Sequence, residues 1–284
     1  PAQGLTYTAS VRASAPARPA AMRPSGRVRA IGSASSAGKS AGAEAPASEA
    51  GTEAPEALGG TGTGGYSWTD STEPGGPAYA WVDIASTGTA LTLGDDQTAT
   101  VALPFSFPYY GTAQTSVRVA SNGFLMFGTG GTGSNAGAGN VAIPNADDPN
   151  GVVAPYWDDL NPGAGGQVRY RAMPDGRFVV SWIGVPHYST SGNAGSFTFQ
   201  AILSPSGQID FQYQTITPGG FANSATIGTE SPAGTEGTQI VFNAAFAASG
   251  KAARLLPPPT WLSVSPASGS VAAGQSQPLT LTLD

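Results

Sequence analysis

From Tyr66 to Phe242 the chain is a succession of short runs in which aromatic and β-branched residues alternate with Thr, Ser and Gln, each closed by a turn signal. A period of two places one face of a strand in a core and the other outside. A helix needs a 3.6-residue period with caps, and no segment has it. Gln167–Arg171, an Ala-Met-Pro-Asp-Gly turn and Arg177–Trp182 predict one hairpin; Ser196–Leu203, Ser-Pro-Ser-Gly and Gln208–Gln214 predict a second. In that last run Ile209, Phe211 and Tyr213 share one face, and Asp210, Gln212 and Gln214 the other. Further strands are expected at Ala80–Ile84, Thr98–Phe107, Ser116–Ala120, Phe124–Phe127, Ala225–Thr229 and Thr238–Phe242. So many turns account for 40 glycines and 24 prolines in 284 residues. The expected class is all-β, an antiparallel β-sandwich.

Charge and composition divide the chain unevenly. Arg12, Arg18, Arg23, Arg27, Arg29 and Lys39 are half of the 12 basic residues, and none of the 18 acidic ones precedes Glu44. Gly32–Ala57 has no large apolar side chain, so it cannot bury enough surface to offset its ordering entropy. Ahead of it Leu5, Tyr7, Ala9 and Val11 alternate with Thr and Ser. That is the pattern of a strand able to add to an open sheet edge. Residues 1–60 are thus read as an extended basic arm and linker with a candidate donor strand at 5–11, and 61–255 as the sandwich. Residues 256–284 are read as a polyproline spacer, Pro257–Thr260, leading to the first strands of a partial Ig-like module.

Composition also excludes functions. A net charge of −6 disfavours nucleic acid as a partner. The absence of cysteine excludes disulfides, thiol nucleophiles and thiolate metal sites. No apolar run approaches the ~20 residues of a membrane span.

Three stretches carry a resemblance. Val101–Gly111, Ser116–Gly128 and Val153–Leu160, continued through Phe197–Leu203, Gly207–Tyr213 and Ala225–Gly228, resemble the nidogen-type extracellular β domain. Gly65–Pro77 with Trp81–Ile84 looks like a module of large secreted bacterial proteins, often subtilisin-like peptidases. Trp261–Gly269 is similar to the opening of Ig-like repeats of the BACON type. The resemblance implies a secreted or cell-surface location; the role expected there is structural or adhesive, without catalysis.

Candidate chemistry is sparse. Asp-Ser/Thr-Gly, His-Gly-Thr and Gly-Thr-Ser peptidase motifs are absent, and the lone His187 reads as a loop residue capping a turn. No catalytic residue and no organic cofactor is expected. Among the aspartate doublets, Asp147 and Asp148 lie between Asn145 and Asn150 in a Pro/Asn/Gly loop whose oxygens suit calcium. Asp158 and Asp159 read as loop organisers that accept backbone N–H bonds. The rings of Trp68, Tyr79, Trp81, Tyr109, Tyr110, Trp157, Trp182 and Tyr188 serve either a core or a carbohydrate surface. The expected function is assembly into a homo-oligomer, such as a filament, or with other cell-surface proteins, through Leu5, Tyr7, Ala9 and Val11. An accessory region of a secreted subtilisin-like peptidase and a carbohydrate-binding module are the alternatives.

Overall fold

A computed structural model describes residues 5–8, 65–128, 139–190, 192–259, 262–266, 268–271 and 275–283. Every regular element among them is a strand. In chain order these are β1 (Leu5–Thr8), β2 (Ser67–Asp70), β3 (Thr89–Leu91), β4 (Thr98–Tyr109), β5 (Thr112–Ala120) and β6 (Leu125–Met126). There follow β7 (Val152–Trp157), β8 (Gln167–Ala172), β9 (Phe178–Val185), β10 (Ser196–Leu203), β11 (Ile209–Thr217) and β12 (Thr226–Glu230). The last are β13 (Gly237–Phe242), β14 (Lys251–Leu256), β15 (Leu262–Ser265), β16 (Ser268–Val271) and β17 (Thr280–Leu283).

The chain forms two compact units. One, Ala57–Pro257, is a sandwich of a seven-stranded sheet, β2-β14-β11-β10-β9-β8-β3, and a six-stranded sheet, β13-β12-β7-β6-β5-β4. All the pairings are antiparallel, and the two expected hairpins are β8–β9 and β10–β11. The core between the sheets takes Val101, Phe107, Tyr109, Val117 and Phe127 from one side and Trp182, Phe197, Phe199, Phe211 and Tyr213 from the other. Polar atoms of the large rings cross the gap. Trp182 Nε1 donates to the Ala120 carbonyl at 3.0 Å, and the Tyr213 hydroxyl donates to Pro155 O at 2.8 Å. Emptying such a site costs about 3–5 kcal/mol per Trp or Phe. The first and last strands of the sandwich, β2 and β14, pair with each other, and Lys251 Nζ lies 2.9 Å from Asp70 Oδ2 and 3.8 Å above the Phe246 ring.

Two local features depart from simple alternation. Ala80–Ile84 is extended but is not a strand. Its backbone is held by side chains of the sheet beneath: Ala80 N–H donates to Gln212 Oε1 at 2.8 Å, and Val82 exchanges both backbone bonds with the Gln200 carboxamide. Gln200 and Gln212 are buried in consequence, on the face the alternation leaves for polar residues. Strand β7 is buried on both faces and contains Pro155, which has no N–H to give. A register shift between Thr226 and Gly228 in the β7–β12 ladder accommodates it.

The other unit, Pro1–Glu56 with Pro258–Asp284, holds two two-stranded sheets, β1–β16 and β15–β17. Leu5 pairs with Val271, Thr6 with Ser270, Tyr7 with Gly269 and Thr8 with Ser268.

Candidate functional site

The loops after β3, β5, β7, β9 and β11 meet around Asp158. Its Oδ1 accepts from the Asp159 N–H at 3.0 Å and from His187 Nε2 at 3.1 Å, and its Oδ2 accepts from the Ser224 hydroxyl at 2.5 Å. The other ring nitrogen of His187, Nδ1, lies 2.5 Å from the Tyr188 carbonyl, and the ring stacks on Phe221 at 3.6 Å between centroids. A carbonyl and an ionised carboxylate are acceptors, so the protonated ring donates from both nitrogens and is the form this pocket favours. Burial opposes that charge, but the bond to Asp158, the Tyr188 carbonyl and the charges of Asp158 and Asp159 outweigh it, so the His187 pKa is raised. Ser224 touches Asp158 rather than His187, and neither ring nitrogen is left to take a proton from a nucleophile. The geometry of a Ser-His-Asp triad is therefore not assembled here.

Beside this knot the doublets Asp95-Asp96 and Asp158-Asp159 converge. Carboxylate oxygens of Asp95, Asp96 and Asp159 all lie within 4.8 Å of one another. Asn122 Nδ2 donates to Asp96 Oδ1 at 2.8 Å, and Gly123, at φ +77°, sits where a Cβ would meet Tyr156 O at 1.9 Å. Burial, with the charges of Asp95, Asp96 and Asp158 added, pushes Asp159 up to about 6 against the lowering effect of His187. Partial burial and Asp96 likewise raise Asp95. Like charges this close share protons or accept a cation. Each doublet is plain in the sequence; their meeting is a product of the fold.

A second polar centre lies at the far end of the β7–β12 ladder. Glu230, 1% exposed, accepts the Asn145 N–H on Oε1 at 2.5 Å, and burial pushes its carboxyl up to about 7 despite that bond. The Tyr109 phenol oxygen lies 2.6 Å from Glu230 O, 2.7 Å from Val152 O and 2.7 Å from Thr229 Oγ1. Asp147 and Asp148 are exposed on the adjoining loop. Asn145 Oδ1 accepts the Asp147 N–H at 2.8 Å, while Asn150 Nδ2 donates to Ala146 O and Asp148 Oδ1, each at 3.3 Å. Asp147 and Asp148, the pair grouped with Asn145 and Asn150 from the sequence, are linked to them in turn, Asp147 to Asn145 and Asp148 to Asn150; Glu230, from a different strand, carries no local signal.

Of the candidate assembly residues, Leu5 and Tyr7 lie on β1, and Ala9 and Val11 lie outside the described residues. Among the rings weighed for a sugar surface, Tyr109, Trp157 and Trp182 are core, while Tyr79 and Tyr188 are exposed. No described helix is long and apolar enough to cross a membrane. No solved structure matches the chain. A sequence model of the family described as NIDO related (nidogen related) matches residues 70–272, which spans the sandwich from the end of β2 and runs on through β16. With 203 of its 284 residues matched, the chain belongs to the nidogen-related family.

Proposed function

We propose that this chain is a non-catalytic extracellular β domain that assembles with other copies of itself by strand addition, its N-terminal β1 pairing with β16 of a neighbour. The observation that carries the reading is the antiparallel β1–β16 ladder, in which each strand has one partner among the described residues. The same ladder can close between chains, because main-chain hydrogen bonds give strand addition its affinity whichever copy supplies the strand. Repeating that head-to-tail contact generates an open filament. Charge supports it: the first 43 residues carry six basic and no acidic side chains, and the remaining 241 carry six basic and eighteen acidic, a net −12. An arm of one sign meeting bodies of the other is attracted in a salt-dependent way. The engaged nitrogens of His187 support the non-catalytic part.

Light scattering on the whole chain and on the chain lacking residues 1–31 tests it. The expected result is an oligomer for the first, weakened by salt, and a monomer for the second. The same mass for both would overturn the reading.

A further inference from the structure

The loop between Ile143 and Asn150 presents an unusual surplus of oxygen. Asn150 is 7% exposed, and its Oδ1 is buried with no hydrogen-bond partner. An orphaned carboxamide oxygen costs about 1–3 kcal/mol and calls for an explanation. Its own Nδ2 is committed to Ala146 O and Asp148 Oδ1, so turning the amide over would set an oxygen against two oxygens. Close by is a second acceptor. A Cβ built on Gly234 would stand 2.2 Å from Asn150 Oδ1 and 2.5 Å from the Asn145 carbonyl oxygen, so those two oxygens are at most 4.7 Å apart (2.2 plus 2.5). Gly234, at φ +67°, leaves that cradle without a side chain.

The neighbouring groups are acidic as well. Glu230 is buried against Asn145 N, and among the described residues no Lys, Arg or His pairs with it. Asp148 reaches the same loop through Asn150. A buried carboxylate without a counter-charge is costly. A main-chain carbonyl, a carboxamide oxygen and carboxylates are the donor set of a hard divalent cation, and calcium tolerates the irregular geometry such a loop offers.

We infer that this loop is a calcium site, with Asn145 O, Asn150 Oδ1 and the carboxylates of Glu230 and Asp148 as its protein ligands. The ion fastens the 143–150 loop to the end of β12 and neutralises Glu230. It is distinct from the Asp95, Asp96 and Asp159 cluster at the other end of the ladder.

The test is calcium chloride titrated into the whole, EDTA-treated chain by calorimetry, with thermal unfolding in calcium and in EDTA alongside. Binding is expected, and calcium at about 100 times its Kd raises the folded-to-unfolded ratio about 100-fold. Glu230→Gln keeps the shape and the bond from Asn145; it should weaken calcium binding at least about tenfold, the loss of one charged ligand. Gly234→Ala should abolish binding; because it also strains the loop, Glu230→Gln is the deciding variant. Asp95→Asn combined with Asp159→Asn should leave the affinity unchanged. No heat and no shift in unfolding on adding calcium would overturn the inference. So would an affinity untouched by Glu230→Gln, or one lost in the Asp95 and Asp159 variant.

Discussion

The two ends of the β7–β12 ladder solve the same problem differently. At one end Asp158 is buried but satisfied, with Asp159 N–H, the His187 ring and Ser224 all bonded to it. At the other end Glu230 is buried too and accepts one N–H, from a loop whose Asn150 amide oxygen has no partner. A saturated centre holds loops together and has nothing left to offer a ligand. An unsaturated one in the same fold is where an additional species does work that the protein leaves undone.

The sharpest way to break that comparison is to remove each carboxylate. Asp158→Ala leaves the buried His187 ring and the Ser224 hydroxyl without their shared partner and should cost about 3–5 kcal/mol in urea unfolding. Glu230→Gln in EDTA should instead raise stability at pH 7, by on the order of 1–3 kcal/mol, because it removes a buried carboxyl that resists ionising. Equal losses at the two ends would erase the distinction.

Next in size is the pH dependence. Glu230 titrates at about 7 when folded against an ordinary 4.5, and Asp159 at about 6 against 3.8. The folded state therefore holds more protons than the unfolded state, and stability falls as pH rises through these windows. His187, also raised, adds stability that is present below 6.5 and lost as pH rises through its folded value, so all three share one sign. The unfolding free energy from urea titrations should drop between pH 5 and pH 8 by on the order of 2 kcal/mol in EDTA. Glu230→Gln should flatten the upper part of that slope and Asp159→Asn the lower part. Ser224→Ala, the smallest change, should cost about 1 kcal/mol in urea unfolding, because Asp158 keeps its other donors.

How much of this was legible follows from the range of each signal. Period-two alternation marked Ile209, Phe211 and Tyr213 as one face of β11, and they lie together in the core. The same rule took Ala80–Ile84 for a strand; its backbone partners are instead glutamine side chains at positions 200 and 212, more than a hundred residues away. Strand β7 lacks alternation because both faces are buried, which is why Val152–Trp157 reads as part of a motif rather than as a strand. Asn145, Asp147, Asp148 and Asn150 sit within six residues and could be grouped on sight. Glu230, at the end of an ordinary Thr-Ile-Gly-Thr-Glu run, becomes a buried acid only when the 143–150 loop covers it.

The most direct test of assembly by strand addition exploits the ladder register in a chain with no cysteine of its own. Thr6 and Ser270 are opposite each other, which in an antiparallel pair places their Cα atoms about 4.5–5.5 Å apart, within the span of a disulfide. Chains carrying Thr6→Cys are mixed with chains carrying Ser270→Cys, oxidised and run without reductant. Strand exchange between copies predicts a disulfide-linked dimer in the mixture and a ladder of multimers from the double variant. A monomeric mixture, with a double variant that closes only on itself, would contradict it.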